Sequence, residues 1–303
     1  MTAAPSTLVV HLKLLGMAVL WGASWPTGKI VAQALPALSA SAWRFALALL
    51  LLLGWLLASG GASALKRLSR RQWLGLAIGG AVGVFGYASF FLLGLQHVPA
   101  GRAALVVTTN PVLTVLLAAW LFGERLNRAI AVGMALAVLG ATVVLSHGEP
   151  WTLFSGGLGV GELLLLGCVA CWSGYTLLGK KLLGGINALA TTTVTAGFGL
   201  VLLLVSALVF EGGASLASPL QASLGVWAAL IFLAAGATVL AYAWYFEGVK
   251  ALGAGAASAY ISLVPVFGVL FATLGLGEPV DLSLLLGGAL VVAGMVVMNR
   301  ARA

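Results

Sequence analysis

Long apolar stretches, punctuated by short polar ones, run through the whole chain. They fall at about 11–32, 37–58, 73–94, 101–122, 129–146, 157–178, 190–210, 223–246, 254–276 and 282–299. Each has the ~17–25 residues that an α-helix needs to cross the hydrocarbon core of a bilayer. The pattern predicts an all-α membrane protein of ten transmembrane helices joined by short loops. The first stretch starts with His11 and Lys13 but continues through Trp21 and Trp25 with no cleavage site, so it reads as a helix and not as a removable leader.

Composition turns length into class. Of the 303 residues 62% are hydrophobic and 7% are charged, against roughly 25% charged in ordinary soluble domains. The surplus apolar surface has to face lipid. Glycine, at 41 residues, suits helices that pack closely without a hydrophobic drive between them.

The net charge of +8 would suit a nucleic-acid partner only if the basic residues formed one face. They are instead scattered among alternate loops. With the N-terminus inside, Lys13, Lys66, Arg67, Arg70, Arg71, Arg125, Arg128, Lys180, Lys181, Lys250, Arg300 and Arg302 fall on the inner side, twelve of the fifteen Lys and Arg. Arg102 falls outside, and Lys29 and Arg44 sit in outer-half spans. Glu149, Glu211, Glu278 and Asp281 are all on the outer side. This is the positive-inside pattern. It predicts both termini in the cytoplasm and the linker Ser59 to Gln72 as a cytoplasmic connector; the location expected for the chain is a bacterial inner membrane. Cys168 and Cys171 have C-x-x-C spacing, but within an apolar helix they read as small packing residues.

The chain repeats itself. Shifted by 154 positions, Gly94–Glu124 aligns with Gly248–Glu278: Gly101 meets Gly255, Pro111 meets Pro265, Val112 meets Val266, and Gly123-Glu124 meets Gly277-Glu278. Gly133 then meets Gly287, and Gly140 meets Gly294. Earlier in each half the shift is 151, pairing Trp21 with Trp172 and Gly28-Lys29 with Gly179-Lys180. Two five-helix halves, 1–148 and 149–303, follow. An odd number of spans per repeat inserts the second copy upside down, an arrangement found in many transporters.

Several of these motifs resemble a known family. N-P-V-L-T followed by W-L-F-G-E-R-L, the later G-E-P, and W-G-A-S-W-P-T-G-K in the first helix are similar to the EamA-type branch of the drug/metabolite transporter superfamily, over nearly the whole chain. The resemblance implies a ten-helix exporter or permease of small metabolites, nearest to bacterial exporters of amino acids, including aromatic ones. It implies fold more sharply than substrate, because the shared residues are mostly helix-packing and helix-breaking ones.

Candidate chemistry gathers at the repeated features. Pro111 and Pro265 lie mid-helix, where each frees the carbonyl four residues earlier, on Val107 and Ile261. Such backbone at membrane depth has to be buried in protein or line a wet cavity. Thr108, Thr109 and Asn110 precede the first proline, and Ser258, Tyr260 and Ser262 the second. They either cap the freed carbonyls or touch substrate, and Asn110, an amide at mid-membrane, is the sharpest candidate. Trp21, Trp25 and Gly28 share a helix face, with Ser24 beside it and Pro26 set to kink the helix. Trp172, Tyr175, Thr176 and Gly179 form the matching stripe. These stripes serve as packing or anchoring rings, or as a ligand wall. Tyr87 with Phe91, and Tyr242 with Tyr245, add aromatics in the third and eighth helices.

An aromatic and hydroxyl wall suits an amphipathic metabolite whose ammonium takes cation–π contacts. A carboxylate would want Lys29 or Arg44, unless both snorkel to the outer interface. The candidate substrate residues are thus Trp21, Ser24, Trp25, Tyr87, Asn110, Trp172, Tyr175, Tyr242, Tyr260 and Ser262, in a cavity lined by helices 1, 3, 4, 6, 8 and 9. Glu162 is the one acid set a turn into a helix, and its place near a helix N-terminus explains it without proton coupling. No catalytic constellation is present: there is no H-E-x-x-H, and His11, His97 and His147 fall near span boundaries. The expectation is therefore a transporter and not an enzyme, with no cofactor, no metal and a lipid environment. Multidrug, nucleotide-type or sugar-type efflux is the alternative. Glycine-rich faces serve packing within and between chains alike, so the sequence is compatible with a monomer.

Overall fold

A computed structural model describes residues 7–123, 126–153, 159–182 and 185–301. Glu124, Arg125 and Arg302, used above for charge sidedness and for the first Gly-Glu, lie outside them. The described residues hold ten helices long and apolar enough to cross a membrane and no strand. They are α1 Thr7–Ala34, α2 Ala37–Ala58, α3 Arg70–His97, α4 Ala100–Phe122, α5 Arg128–Leu145, α6 Val160–Gly179, α7 Ala188–Glu211, α8 Leu224–Leu252, α9 Gly255–Leu276 and α10 Leu282–Arg300. Large apolar side chains stand outward on many of them, Leu50 at 69% exposure and Trp120 at 79%. Outward apolar side chains are stable facing lipid and unstable facing water.

Helix starts show why the chain turns where it does. Ser69 and Gln72 form a capping box at α3, and Asn127, Asn187, Ser223 and Asp281 accept first-turn N–H bonds at α5, α7, α8 and α10. Helices α2 and α4 instead follow Pro36 and Pro99, which offer no side-chain acceptor. Their orphan N–H groups are met by distant carboxylates. Glu211 accepts from Leu38 N at 2.8 Å and Ser39 N at 2.9 Å, and Glu278 from Ala100 N at 2.7 Å and Gly101 N at 2.9 Å. From its sequence position, Glu278 would serve the helix that follows it. The structure gives it to α4 instead, since α10 already has Asp281 as its cap.

Glycines set the closest helix contacts. Helices α5 and α10 form the most extensive pair, antiparallel, with glycines crossed against one another. A Cβ on Gly140 would stand 2.5 Å from the Gly287 carbonyl oxygen, and one on Gly294 2.4 Å from that of Gly133. Other contacts recur at the two sequence offsets. Gly16 lies against Trp244 as Gly167 lies against Phe90, and Leu14 fills the space beside Gly248 as Leu165 does beside Gly94. Helices α3 and α8 also both contain a π-helical segment, at Gly80–Gly86 and Phe232–Leu240. Such segments are rare and often sit at functional sites.

The two ends of the bundle differ. One, where α1 begins and α10 finishes, carries Lys13, Lys250 and Arg300; we call it the basic end. There Lys13 of α1 pairs with Glu247 of α8 at 2.7 Å. At the opposite end Arg102 of α4 pairs with Asp281 and donates to the Val144 carbonyl at 2.6 Å. The Ser283 hydroxyl, donating to Asp281, holds that carboxyl below its ordinary value, with Leu284 N–H and Arg102 adding to the effect.

The central cavity

Both proline turns arise the same way. Proline has no N–H for the helix ladder and crowds the carbonyl four residues back, so the chain tightens just before it. Thr109 N bonds Val106 O at 3.1 Å and Leu263 N bonds Tyr260 O at 3.0 Å, each a three-residue step. After the turn both helices resume, and both end at a left-handed glycine, Gly123 and Gly277, with φ 67° in each. The threonine hydroxyls bond Ala104 O at 2.5 Å and Val106 O at 2.7 Å, and not the Val107 carbonyl that the proline position frees.

Beside the first turn lies a cavity of about 540 Å³, within the ~300–1,000 Å³ usual for small-molecule sites. Its lining reaches the helix ends at the basic end, through Gly179, Ala188, Thr192, Ser258 and Asn299. Toward the other end it stops at Trp25 and Phe91, 4% and 2% exposed, with ring centroids 5.1 Å apart. Beyond this floor Lys29 Nζ donates to Leu95 O at 2.7 Å and Val98 O at 3.1 Å, so Lys29 caps the end of α3 and is not part of the cavity lining.

Of the residues expected from the sequence, Trp21, Ser24, Trp25, Tyr87, Asn110, Pro111, Trp172, Tyr175 and Tyr242 line this one cavity. Their rings form two groups, one around Trp21 and Tyr242 and one running from Trp25 through Phe91 and Tyr87 to Trp172 and Tyr175. Trp21 meets Tyr242 edge-on at 5.4 Å, Tyr87 stacks on Phe91 at 6.2 Å, and Trp172 contacts Tyr87 at 5.6 Å and Tyr175 at 6.2 Å. The Trp21 indole donates to the Ala237 carbonyl of the π-helical segment at 2.9 Å. Thr114 and Ser173 join α4 to α6 by a 3.0 Å hydroxyl bond.

Tyr260, Ser262 and Pro265 are not in the lining. Helix α9 is rotated so that Ile261 and Val264 face the cavity. Tyr260 shares a 2.7 Å hydrogen bond with His11 Nδ1, Ser262 accepts from Asn299 Nδ2 at 3.0 Å, and Pro265 is buried in packing. The sequence reading also left out α2, α7 and α10, which contribute Arg44, Thr191 with Thr192, and Met295 with Asn299. The run of threonines at 191–193 was the available signal for α7.

Arg44 does not snorkel outward. Its Nη2 donates to Thr238 Oγ1 at 3.2 Å, and its guanidinium carbon lies 5.2 Å from the Phe45 ring centroid and 5.6 Å from that of Phe91. Thr238 is itself fixed by donating to Leu233 O, five residues back in the π-helical segment. Cys168 is buried with its Sγ near Tyr87 O at 3.6 Å, and Cys171 packs at Gly86. No group of His, Cys, Asp or Glu suited to a metal occurs among the described residues.

The EamA-like transporter family matches residues 8–146 and again residues 159–300. The chain belongs to that family. It is a multi-pass membrane transporter of the EamA type, within the drug/metabolite transporter superfamily. A transporter named YyaM from Bacillus subtilis is 29% identical over 96% of this chain and 94% of its own length. A probable terminal-alkyne amino-acid exporter from Streptantibioticus cattleyicolor is 28% identical, covering 80% of this chain and 78% of that protein. A probable amino-acid metabolite efflux pump from Salmonella typhimurium is 27% identical over 70% and 72%. One crystal structure superposes with TM-score 0.66 at 22% identity, over 97% of this chain and 98% of the other, a likeness of fold. In this EamA-type transporter the cavity sits where the two matched stretches meet.

Proposed function

We propose that this EamA-type protein exports small amphipathic metabolites, amino acids foremost and aromatic or other neutral ones among them, across the bacterial inner membrane. The observation that carries the reading is the aromatic cavity, walled by both halves of the chain, reaching the basic end and stopped by Trp25 and Phe91 at the other. Its size and mixed aromatic and hydroxyl wall fit such a solute. The printed names of two relatives, an amino-acid exporter and an amino-acid metabolite efflux pump, point the same way.

The mechanism we infer is alternating access between two inverted halves, 1–148 and 149–303, rocking around the cavity with both termini cytoplasmic. Supporting it are the two family matches, the crossed glycines of α5 and α10, and the helix contacts that recur at the repeat offsets. Positive-inside sidedness puts the basic end in the cytoplasm, so this conformation is open inward. Trp21, Ser24, Trp25, Tyr87, Asn110, Trp172, Tyr175 and Tyr242 then form the substrate site. Among the described residues the lining holds no carboxylate, which favours gradient-driven flux without an obligatory proton carrier.

Counterflow in proteoliposomes, with a panel of labelled amino acids, sugars and cationic dyes, tests this. Accelerated exchange of neutral amino acids is expected. Exchange of none of them, or a pH-gradient requirement abolished by Glu162→Gln, overturns the corresponding part.

A further inference from the structure

Two polar side chains of the cavity wall are incompletely satisfied. Arg44 Nε is buried and lacks a hydrogen-bond partner, and so does Asn110 Oδ1. Both residues line the same cavity. One is a donor on a permanent cation; the other is an acceptor on a neutral amide.

Arg44 is also, among the described residues, the one charged residue in the lining. Among the described residues the ion pairs are Lys13 with Glu247 and Arg102 with Asp281, so no carboxylate answers Arg44. An unpaired charge inside a membrane protein is costly, and such residues face interior cavities or pair with a partner there. The protein's own interactions with this guanidinium are one hydroxyl and two ring faces. Those hold it in place without neutralising it. Asn110 is held comparably: its backbone carbonyl accepts from the hydrogen-bonded hydroxyl pair of Thr114 and Ser173, whose oxygens lie 2.8 Å and 3.3 Å away, which pins the turn and leaves the amide oxygen unused.

We propose that Arg44 binds the substrate's carboxylate and Asn110 its ammonium, so that the cavity selects amphipathic zwitterions and disfavours monocationic amphiphiles. The assignment rests on the transport reading and narrows it to a charge class. A carboxylate brings two acceptor oxygens to a planar fork of donors, the geometry in which arginine binds most strongly. The ring or alkyl part of the solute lies along Trp21, Tyr87 and Trp172. A cationic dye meets Arg44 across a low-dielectric wall with no compensating acid, which opposes multidrug efflux of cations.

Three probes that share a phenyl ring separate the poles: L-phenylalanine (both poles), 3-phenylpropionate (carboxylate only) and phenethylamine (ammonium only). Binding to the purified full chain in detergent micelles is measured by isothermal titration calorimetry. In the wild-type protein, phenethylamine is expected to bind roughly 10- to 100-fold more weakly than phenylalanine, the range for one charge-assisted hydrogen-bonded contact. Arg44→Gln should weaken phenylalanine and phenylpropionate together by a similar factor and leave phenethylamine unchanged or tighter, and Arg44→Lys should recover part of the loss. Asn110→Leu should weaken phenylalanine and spare phenylpropionate.

The wild-type series stands even if a variant does not fold. Phenethylamine binding as tightly as phenylalanine, or binding of none of the three, overturns the assignment. So does an unchanged preference in a folded Arg44→Gln. Counterflow of some other solute in the panel would still leave the transport reading intact, whereas no flux of any solute removes that reading itself.

Discussion

Thr109 and Leu263 each donate to a carbonyl three residues back, each just ahead of a proline, and each in a helix that ends on a left-handed glycine. Their surroundings differ. The first turn presents Thr108 and Asn110 to the cavity with an amide oxygen unpaired. The second presents Ile261 and Val264, and Ser262 is turned to Asn299. The two halves are alike where backbone meets backbone, as at the crossed glycines, and unlike where side chains face the cavity. Repetition is kept by packing constraints, which a single methyl group violates. A ligand places no such demand for symmetry, so the two proline turns are free to present different side chains to it.

The largest effect should come from breaking what the halves share. Gly140→Leu forces atoms into the Gly287 carbonyl 2.5 Å from the new Cβ, and should cost more than about 3 kcal/mol. Size-exclusion chromatography would show loss of monodisperse protein. Gly255→Ala, with nothing within 4 Å of its Cβ, should leave the elution profile unchanged. Next comes the difference between the turns. Asn110→Leu should lower counterflow by about tenfold, while Ser262→Ala should change flux less than about twofold and lower thermal stability by ~1 kcal/mol, because Asn299 loses an acceptor. Equal flux losses in both would erase the distinction between the turns.

Smaller still is the contrast between the paired tryptophans. Trp21→Phe removes the bond to Ala237 O, about 1 kcal/mol. The Trp172 indole N–H meets no acceptor among the described residues, and Trp172→Phe should shift the melting temperature less. The smallest effect lies at the end opposite the mouth. The Asp281 carboxyl titrates below its ordinary value, so its stabilising contribution is present above that value and is lost as pH falls through the lowered one. With the side chain 46% exposed, the contribution is a few tenths of a kcal/mol, discounted for solvent screening. Asp281→Asn should flatten the acid limb of a melting-temperature profile by that amount.

Much of the fold was legible because lipid imposes length and apolarity on every span, and because glycines and prolines mark backbone events that leave little choice. The cavity was legible at Trp21, Trp172 and Asn110, where the repeat superposed an aromatic or a proline on its copy. Less legible was the rotation of each helix about its own axis. Tyr260 and Ser262 carry the same chemistry as residues that do line the cavity, yet α9 turns them toward His11 and Asn299. Arg44 and Lys29 are both long basic side chains in outer-half spans. One enters the cavity wall and the other caps α3, depending on neighbours far away in sequence, Thr238 for the first and Leu95 for the second. Periodicity names a face; packing decides what that face meets.

The crossed glycines of α5 and α10 also say something about how the chain is built. Residues of α5 are synthesised about 154 positions before the partners they lie against. Until then a helix whose tightest contacts are bare backbone waits with that flank turned to lipid or to a temporary neighbour. The most extensive helix pair therefore closes late in biogenesis, after the intervening helices have been inserted. A nascent chain arrested before Leu282 should be the form most exposed to membrane quality control, with α5 as the surface that is recognised.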